Sequence, residues 1–216
     1  ERCSGTNFLQ KLIQKNFDLE LVWDYEWKHW FGFDHPDEAG KEACLFLGLV
    51  RDPYQWIGSL HQQPHHVRED LRQSSLEKFI TTEWYSYIDD RHPPVDKAEQ
   101  MKDRHIYTGE RYKNLLELRN VKNRYLLDDL PQSVRHYYLI SYDKLLDDPI
   151  SILEQLKSEF GLKMRSDKFE KVTDDPKYMR PQFIKKEYHL QPKIVQLVNR
   201  GLDWESEARL GFQKIE

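Results

Sequence analysis

Cysteine is scarce in this sequence: the 216 residues contain only Cys3 and Cys44. Two cysteines are too few for a disulfide framework or a structural zinc site, so we expect two reduced thiols. Glycine and proline, with nine and ten residues, are too few for a fibrous or low-complexity chain. The fold must therefore depend on a hydrophobic core. Hydrophobic residues make up 38% of the chain and include six Trp and twelve Tyr, which is enough to build one and argues against disorder.

Long apolar runs and an excess of positive charge are missing as well. The longest apolar run, Ala43–Val50, is far shorter than the ~20 residues that a membrane-spanning helix needs. The net charge of −4 argues against a partner that is a nucleic-acid polymer, because such proteins neutralise backbone phosphates with Lys and Arg. A small anionic ligand in a local basic pocket stays open. No signal peptide is visible, which slightly favours the cytoplasm; the Golgi lumen stays open if an N-terminal anchor preceded Glu1.

The apolar periodicity predicts helices that alternate with short strands. We expect strands at Leu19–Trp27, Ala43–Val50 and Val134–Ser141. We expect helices at Thr6–Phe17, Tyr54–His61, Leu76–Ile88, Ile106–Asp129, Ile150–Phe160, Lys185–Arg200 and Glu205–Leu210. This order predicts one α/β domain over residues 1–216, with a central, mainly parallel sheet flanked by helices. Because Glu1 stands where a first strand should just have ended, we expect either a strand before it or a sheet built without one.

The segment Arg2–Asn7, which leads into the first predicted helix, has the composition of a phosphate-binding loop. The small residues Ser4, Gly5 and Thr6 allow successive backbone N–H groups to face one anion, and the helix N-terminus adds partial positive charge. The plain alternative is an ordinary helix cap. A Walker A loop fits poorly because no Lys follows Gly5, so ATP or GTP hydrolysis with magnesium is disfavoured.

A second anion-binding pattern follows the buried strand. Arg51-Asp52-Pro53 stands at the predicted C-terminal end of that strand, where α/β folds bind their ligands. Ser59 comes eight residues after Arg51, about two turns into a helix that starts at Pro53. Arg51 and Ser59 could thus hold one phosphate together. The alternative is a plain Arg-Asp-Pro turn with a local salt bridge.

Together these patterns resemble the sulfotransferases that use 3′-phosphoadenosine-5′-phosphosulfate (PAPS). Arg2–Asn7 resembles their 5′-phosphosulfate loop, and Arg51-Asp52-Pro53 with Ser59 resembles their 3′-phosphate motif. The stretch Tyr138–Leu162 is similar to a family segment in which a strand runs into Tyr-Glu-Asp-Leu … Asp-Pro … Phe-Leu-Gly-Leu, although Asp143-Lys144 replaces Glu-Asp. The resemblance implies a P-loop-like fold with PAPS as co-substrate, 3′,5′-adenosine bisphosphate (PAP) as product and no metal. The residues implied to bind the nucleotide are Arg2, Cys3, Ser4, Gly5, Thr6, Asn7, Arg51 and Ser59.

The resemblance also implies a general base near the end of the second predicted strand. There Trp27-Lys28-His29 occupies the region in which such enzymes carry His or Glu, often beside a Lys. His29 matches, and an imidazole with a pKa near 6.5 accepts a proton at neutral pH. Asp24 and Glu26 are the other candidate bases. Cys3 stands where many members have Lys or Arg, so either Arg2 or Lys28 is expected to neutralise the leaving phosphate.

The expected function is transfer of a sulfonate group from PAPS to a hydroxyl or amine of an acceptor, which is a carbohydrate, lipid, peptide or small molecule. Residues 62–104 are expected to form an acceptor-side insertion or lid. Two alternatives stay open: a P-loop kinase acting on a small molecule, and a non-catalytic PAP-binding relative. Arg119 and Lys122 are expected on a solvated helix face, with an anion contact as the alternative. His61, His65 and His66 have a spacing that could suit a metal, but no carboxylate pattern accompanies them.

Overall fold

Two parallel strands form a sheet at the centre of the fold. The computed structural model describes residues 1–25, 28–29, 31, 38–87, 98–172 and 186–216. Within these ranges, β1 (Leu45–Val50) pairs with β2 (His136–Ser141) in parallel, in a register that runs from Leu45↔His136 to Val50↔Ser141. The predicted α/β class with a parallel sheet is confirmed at this level.

Helices account for about half of the described residues. In chain order they are α1 (Thr6–Asn16), α2 (Glu38–Ala43), α3 (Pro53–Gln62), α4 (Glu69–Arg72), α5 (Leu76–Thr81), α6 (Leu115–Arg124), α7 (Leu130–Ser133), α8 (Tyr142–Asp147), α9 (Pro149–Phe160), α10 (Pro192–Gly201) and α11 (Trp204–Arg209). A 3₁₀ turn spans Met101–Asp103, and a π-helical turn at Tyr125–Asp129 joins α6 to α7.

Local chemistry sets where the helices beside the sheet begin and end. The Asp52 carboxylate accepts hydrogen bonds from the backbone N–H groups of Tyr54 and Gln55, both at 3.0 Å, and so caps α3 immediately after β1. In the same way the Asp148 carboxylate accepts from the N–H of Ser151 at the start of α9. Gly161, in the left-handed region with φ 63°, ends α9.

The core lies on both sides of this short sheet. One cluster joins α1, both strands and α9, with Leu12, Phe17, Leu153 and Leu156 fully buried. A second cluster covers the other face of the sheet, where Val50 of β1 packs with Tyr125, Leu126 and Phe212. A third cluster joins α3, α5, α6 and α10 around Trp56. The N-terminus of α1 and the C-terminal end of β1 meet between these clusters, and that junction holds the predicted phosphate-binding residues.

Several predicted elements differ in extent. The strand expected at Leu19–Trp27 is wrong for its described part, since residues 19–25 form no strand and their apolar side chains are 36–47% exposed at Leu19, Leu21, Val22 and Trp23. Alternation alone cannot make a strand without a partner that accepts its backbone hydrogen bonds. The helix expected at Leu76–Ile88 ends at Thr81. The one expected at Ile106–Asp129 begins only at Leu115, because the Asn114 side chain caps it. The helix expected at Lys185–Arg200 likewise begins only at Pro192, whose fixed φ suits a first helical position.

The segment 62–104, expected to be an acceptor-side insertion or lid, contributes to the core in its described parts. Phe79, Ile80 and Trp84 are fully buried against α3 and α6. Its function as a lid stays a prediction, as does the P-loop-like architecture. No helix in the described ranges is long and apolar enough to span a membrane.

The edge of β1 that faces away from β2 borders an apolar slot. No further strand pairs there among the described residues. The slot has a volume of about 570 Å³ and lies between α1, residues 19–25 and the length of β1. Thr6 and Lys28 are among the residues that line it, so the slot adjoins the start of α1.

Candidate phosphate-binding site

The backbone of the loop before α1 alternates in handedness. Cys3 has φ 59° and Gly5 has φ 88°, whereas Ser4 and Thr6 do not have positive φ. An alternation of this kind turns successive N–H groups toward one side and forms a concave anion-binding site, as in P-loops. Gly5 tolerates its conformation because it has no Cβ, while the positive φ of Cys3 is uncommon for a residue with a side chain.

Carbonyl groups of this loop accept hydrogen bonds, whereas most of its N–H groups have no acceptor among the described residues. The Arg2 carbonyl accepts from Trp56 Nε1 at 2.9 Å, and the Gly5 carbonyl accepts from the N–H groups of Phe8 and Leu9. In contrast, none of the N–H groups of residues 3–7 has an acceptor within the described part of the chain. N–H groups in the first turn of a helix lack intrahelical acceptors, and together with those of the preceding loop they can hold an anion.

Tyr142, at the start of α8, lies directly against Gly5. A Cβ placed on Gly5 would come within 2.3 Å of Tyr142 Cε2, which is closer than two carbon atoms can approach. Glycine is therefore required at position 5 for two reasons: the backbone is left-handed, and the Tyr142 ring occupies the place of a Cβ.

Arg51 connects the second predicted motif to the loop. Its Nη1 donates to the Cys3 carbonyl at 3.0 Å, and its guanidinium lies 4.6 Å from the Tyr142 ring centre and 5.6 Å from that of Tyr188. The residue is 5% exposed, and its Nε–H has no hydrogen-bond partner among the described residues. A buried guanidinium N–H without an acceptor costs free energy, so this donor is suited to an anionic ligand.

Ser59 reaches the same loop through the side chain of Cys3. The Ser59 hydroxyl lies close enough to the Cys3 thiol to affect its pKa, and the thiol donates to the Gln63 carbonyl at 3.6 Å. Burial raises the pKa of the Cys3 thiol to about 11, so it is protonated at neutral pH. The loop, Arg51 and Ser59 are thus brought together around Cys3.

Lys28 and His29 lie beside the loop as well. Lys28 Nζ donates to the side-chain oxygen of Asn7. His29 is buried, and burial lowers its pKa well below 6.5, with the nearby positive charges of Arg2 and Lys28 adding to the effect. Its imidazole is therefore neutral at pH 7. Among the other candidate bases, Asp24 is exposed, and Glu26 lies outside the described residues.

Arg2 uses its side chain within the protein. Its guanidinium donates to the carbonyls of His65 and His66, at 3.2 and 3.1 Å, and forms an ion pair of 3.4 Å with Asp103. The residue is only 1% exposed. This leaves Lys28 as the better placed of the two cations expected to face a leaving phosphate.

The sequence did not predict that Arg119 and Lys122, both on α6, each belong to a buried cluster of ion pairs. The solvated face expected for Arg119 and Lys122 is wrong, since these residues are 5% and 2% exposed. Arg119 forms a bidentate pair with the fully buried Glu207, at 2.5 and 2.7 Å, and also donates to the Arg51 carbonyl at 2.9 Å. Charged residues three apart on a helix look the same in sequence whether they face solvent or a buried partner 88 residues away.

No group of three or more His, Cys, Asp or Glu side chains in the described ranges is arranged to hold a metal ion. His61 instead contacts the Ser74 carbonyl at 2.9 Å.

No protein-family model, curated protein or solved structure matches this chain.

Proposed function

We propose that this protein transfers a sulfonate group from PAPS to a hydroxyl or amine of an acceptor. The observation that carries the proposal is the loop of residues 3–7, in which successive N–H groups lack acceptors while Arg51 holds the Cys3 carbonyl. In the proposed site, an anion-binding loop at the N-terminus of α1 lies beside a basic residue, Arg51, at the end of β1. A nucleotide with phosphate groups at both its 5′ and 3′ positions has the charge distribution that such a pair would bind.

Three features support a fit for PAPS. The open N–H groups of the loop are donors for the 5′-phosphosulfate, and α1, with eleven residues, adds its N-terminal partial charge. The unpartnered Nε–H of Arg51 is a donor for the 3′-phosphate, with the Ser59 hydroxyl close by through Cys3. The left-handed backbone that Gly5 permits turns the N–H groups of the loop toward one side, where an anion would be bound.

The remaining residues would act during the transfer. Lys28, held at Asn7, would stabilise the negative charge that grows on the leaving phosphate. His29, neutral because of its burial, would accept the proton of the attacking hydroxyl or amine. The slot beside β1 adjoins Lys28 and Thr6 and offers space for part of an acceptor. A sulfonate carries less negative charge than a phosphoryl group, so this chemistry does not require a metal to neutralise it.

The decisive test has a binding arm and a transfer arm. Calorimetry should show PAP binding that exceeds the binding of adenosine 5′-phosphate, because only PAP carries the 3′-phosphate. Radiolabelled PAPS, offered with a panel of saccharide, lipid, peptide and phenolic acceptors, should then yield a labelled product and PAP. Binding without transfer to any acceptor would favour a non-catalytic PAP-binding protein. Turnover of ATP with magnesium, in the absence of PAP binding, would replace the proposal with a kinase.

A further inference from the structure

A buried carboxylate links the phosphate-binding loop to the segment that carries His29. Asp103 ends the 3₁₀ turn Met101–Asp103 and is 1% exposed. One of its oxygens pairs with Arg2 Nη2 at 3.4 Å, and the other pairs with Lys122 Nζ at 2.5 Å. Lys122, which is 2% exposed, also donates to the His29 carbonyl at 3.0 Å. A continuous path of charged contacts therefore runs from Arg2 through Asp103 and Lys122 to His29.

The charges in this path are balanced within the protein. Two cations, Arg2 and Lys122, meet the carboxylates of Asp103 and Glu1, and Lys122 Nζ is 2.9 Å from Glu1 Oε2. Ser86 adds a hydroxyl hydrogen bond to the Asp103 oxygen that faces Arg2. Ion pairs this deeply buried contribute little net stability compared with apolar residues, but they restrict geometry, because any displacement leaves a charge unpaired in a medium of low dielectric constant.

We infer that Asp103 is a positioning residue that fixes the phosphate-binding loop and the His29 segment relative to each other. The inference rests on the proposed function, in which the loop holds the sulfonate donor and His29 accepts the acceptor's proton. Neither Arg2 nor Asp103 needs to touch the substrate for this. In-line transfer demands that the base, the acceptor and the donor align, and a misplacement of about 1 Å can lower the rate of an enzyme about 10²-fold.

The loop has supports that do not depend on Asp103. Arg51 holds the Cys3 carbonyl, and Trp56 Nε1 holds the Arg2 carbonyl. The His29 carbonyl accepts a hydrogen bond from Lys122, whose ammonium pairs with both Asp103 and Glu1. Removal of the Asp103 charge should therefore loosen the His29 segment while nucleotide binding at the loop persists.

The first test does not depend on the reaction. Asp103→Asn should raise the hydrogen-exchange rate of the backbone amides at Lys28 and His29 at least about tenfold, while exchange in α9 stays unchanged. The matched control is Asp70→Asn, which removes an exposed carboxylate paired with Arg68 and should leave both regions unchanged. If Asp103→Asn does not fold, Lys122→Met tests the same link. Unchanged exchange at Lys28 and His29, or an equal rise in α9, would overturn the inference.

The second test uses turnover. Asp103→Asn should lower kcat about 10–100-fold, with the Kd for PAP within about threefold of the wild type and substantial recovery in Asp103→Glu. In a His29→Ala background the same substitution should have no further effect on kcat, because Asp103 acts through His29. Independent, additive losses would mean that Asp103 acts elsewhere. If the wild type transfers no sulfonate at all, the proposed function fails, and the exchange measurements alone decide the positioning inference.

Discussion

The guanidinium of Arg51 donates a hydrogen bond to the backbone carbonyl of Cys3, 48 residues earlier in the chain. The contact joins the end of β1 to the loop before α1, and it occupies a carbonyl that would otherwise repel an anion. It also leaves the Nε–H of Arg51 available. The Arg51 side chain thus has two roles: it shapes the loop, and its Nε–H is a donor at a separate position. Ligands that differ only in the 3′-phosphate can distinguish these two roles.

Arg51→Ala should weaken PAP binding by about 2–4 kcal/mol, the usual cost of losing a charged hydrogen-bonded partner. Adenosine 5′-phosphosulfate, which lacks the 3′-phosphate, should lose far less. Calorimetry with both ligands measures the difference. The control is Arg135→Ala, which removes an exposed arginine paired with Glu42 and should leave both affinities unchanged. Equal losses for the two ligands would show that Arg51 acts only by shaping the loop.

Gly5→Ala should destabilise the protein and abolish PAP binding. The left-handed backbone costs roughly 1 kcal/mol for alanine, and the overlap with Tyr142 adds roughly 1–3 kcal/mol. Gly109→Ala is a matched control, because Gly109 has φ 72° but no atom within 4 Å of its added Cβ. It should cost only the backbone strain and leave PAP binding intact. Urea unfolding and calorimetry on both variants check this, and a similar loss of stability in the two would refute the role of Tyr142.

The lowered pKa of His29 predicts how stability depends on pH. As the pH falls through 6.5, His29 gains a proton in the unfolded chain but stays neutral in the folded one. The free energy of unfolding should therefore decrease below pH 6.5, by up to about 1.4 kcal/mol per pH unit from this residue. Urea unfolding at pH 7.5 and 5.5 should show a smaller decrease in His29→Gln than in the wild type. His189→Gln, which replaces an exposed histidine, should keep the full decrease.

The lowered pKa of His29 also predicts how kcat depends on pH. His29→Ala should lower kcat about 10²–10⁴-fold, the usual contribution of a general base, with PAP affinity nearly unchanged. In the wild type, kcat should stay constant as the pH falls through 6.5 and decline only at lower pH, since the imidazole remains unprotonated there. A decline centred on pH 6.5 would mean that the titrating group is exposed and is not His29.

Glu207→Ala should destabilise the protein by about 3–5 kcal/mol, because it leaves the buried charge of Arg119 without its partner. Since Arg119 also donates to the Arg51 carbonyl, PAP affinity should fall in the same variant. Asp128→Ala removes the partner of Arg209 in an exposed pair and should cost less than about 1 kcal/mol. Chemical denaturation of both variants measures the contrast. Similar values would mean that the Arg119–Glu207 pair is well solvated.

How much of this molecule the sequence predicts depends on whether the determining contact is local. The loop from Cys3 to Asn7 and the start of a helix at Pro53 were predictable, because small residues and a proline act within a few positions. The two parallel strands were predictable because their apolar runs are short and bounded. The meeting of Arg51, Ser59 and the loop followed from the rule that ligands bind at the carboxyl ends of strands.

What could not be predicted depends on distant partners. Leu19–Trp27 has the alternation of a strand, yet its described residues 19–25 form none, and Asn114 shortens a helix that periodicity extends toward Ile106. The pairing of Arg2 with Asp103 joins positions 101 residues apart, and no local pattern marks either residue as buried. Buried ion pairs are hidden in sequence because their members have the same composition as a solvated surface.

The exposed apolar side chains of Leu19–Trp23 have a consequence for handling the protein. Leu21 and Trp23 are 40% and 47% exposed, and neighbouring apolar side chains on a surface favour contact with a second copy of the chain. Self-association should therefore increase with protein concentration, and light scattering should detect it before activity is lost. Trp23→Lys should suppress it, since a charged side chain in place of an exposed apolar ring opposes the approach of a second copy.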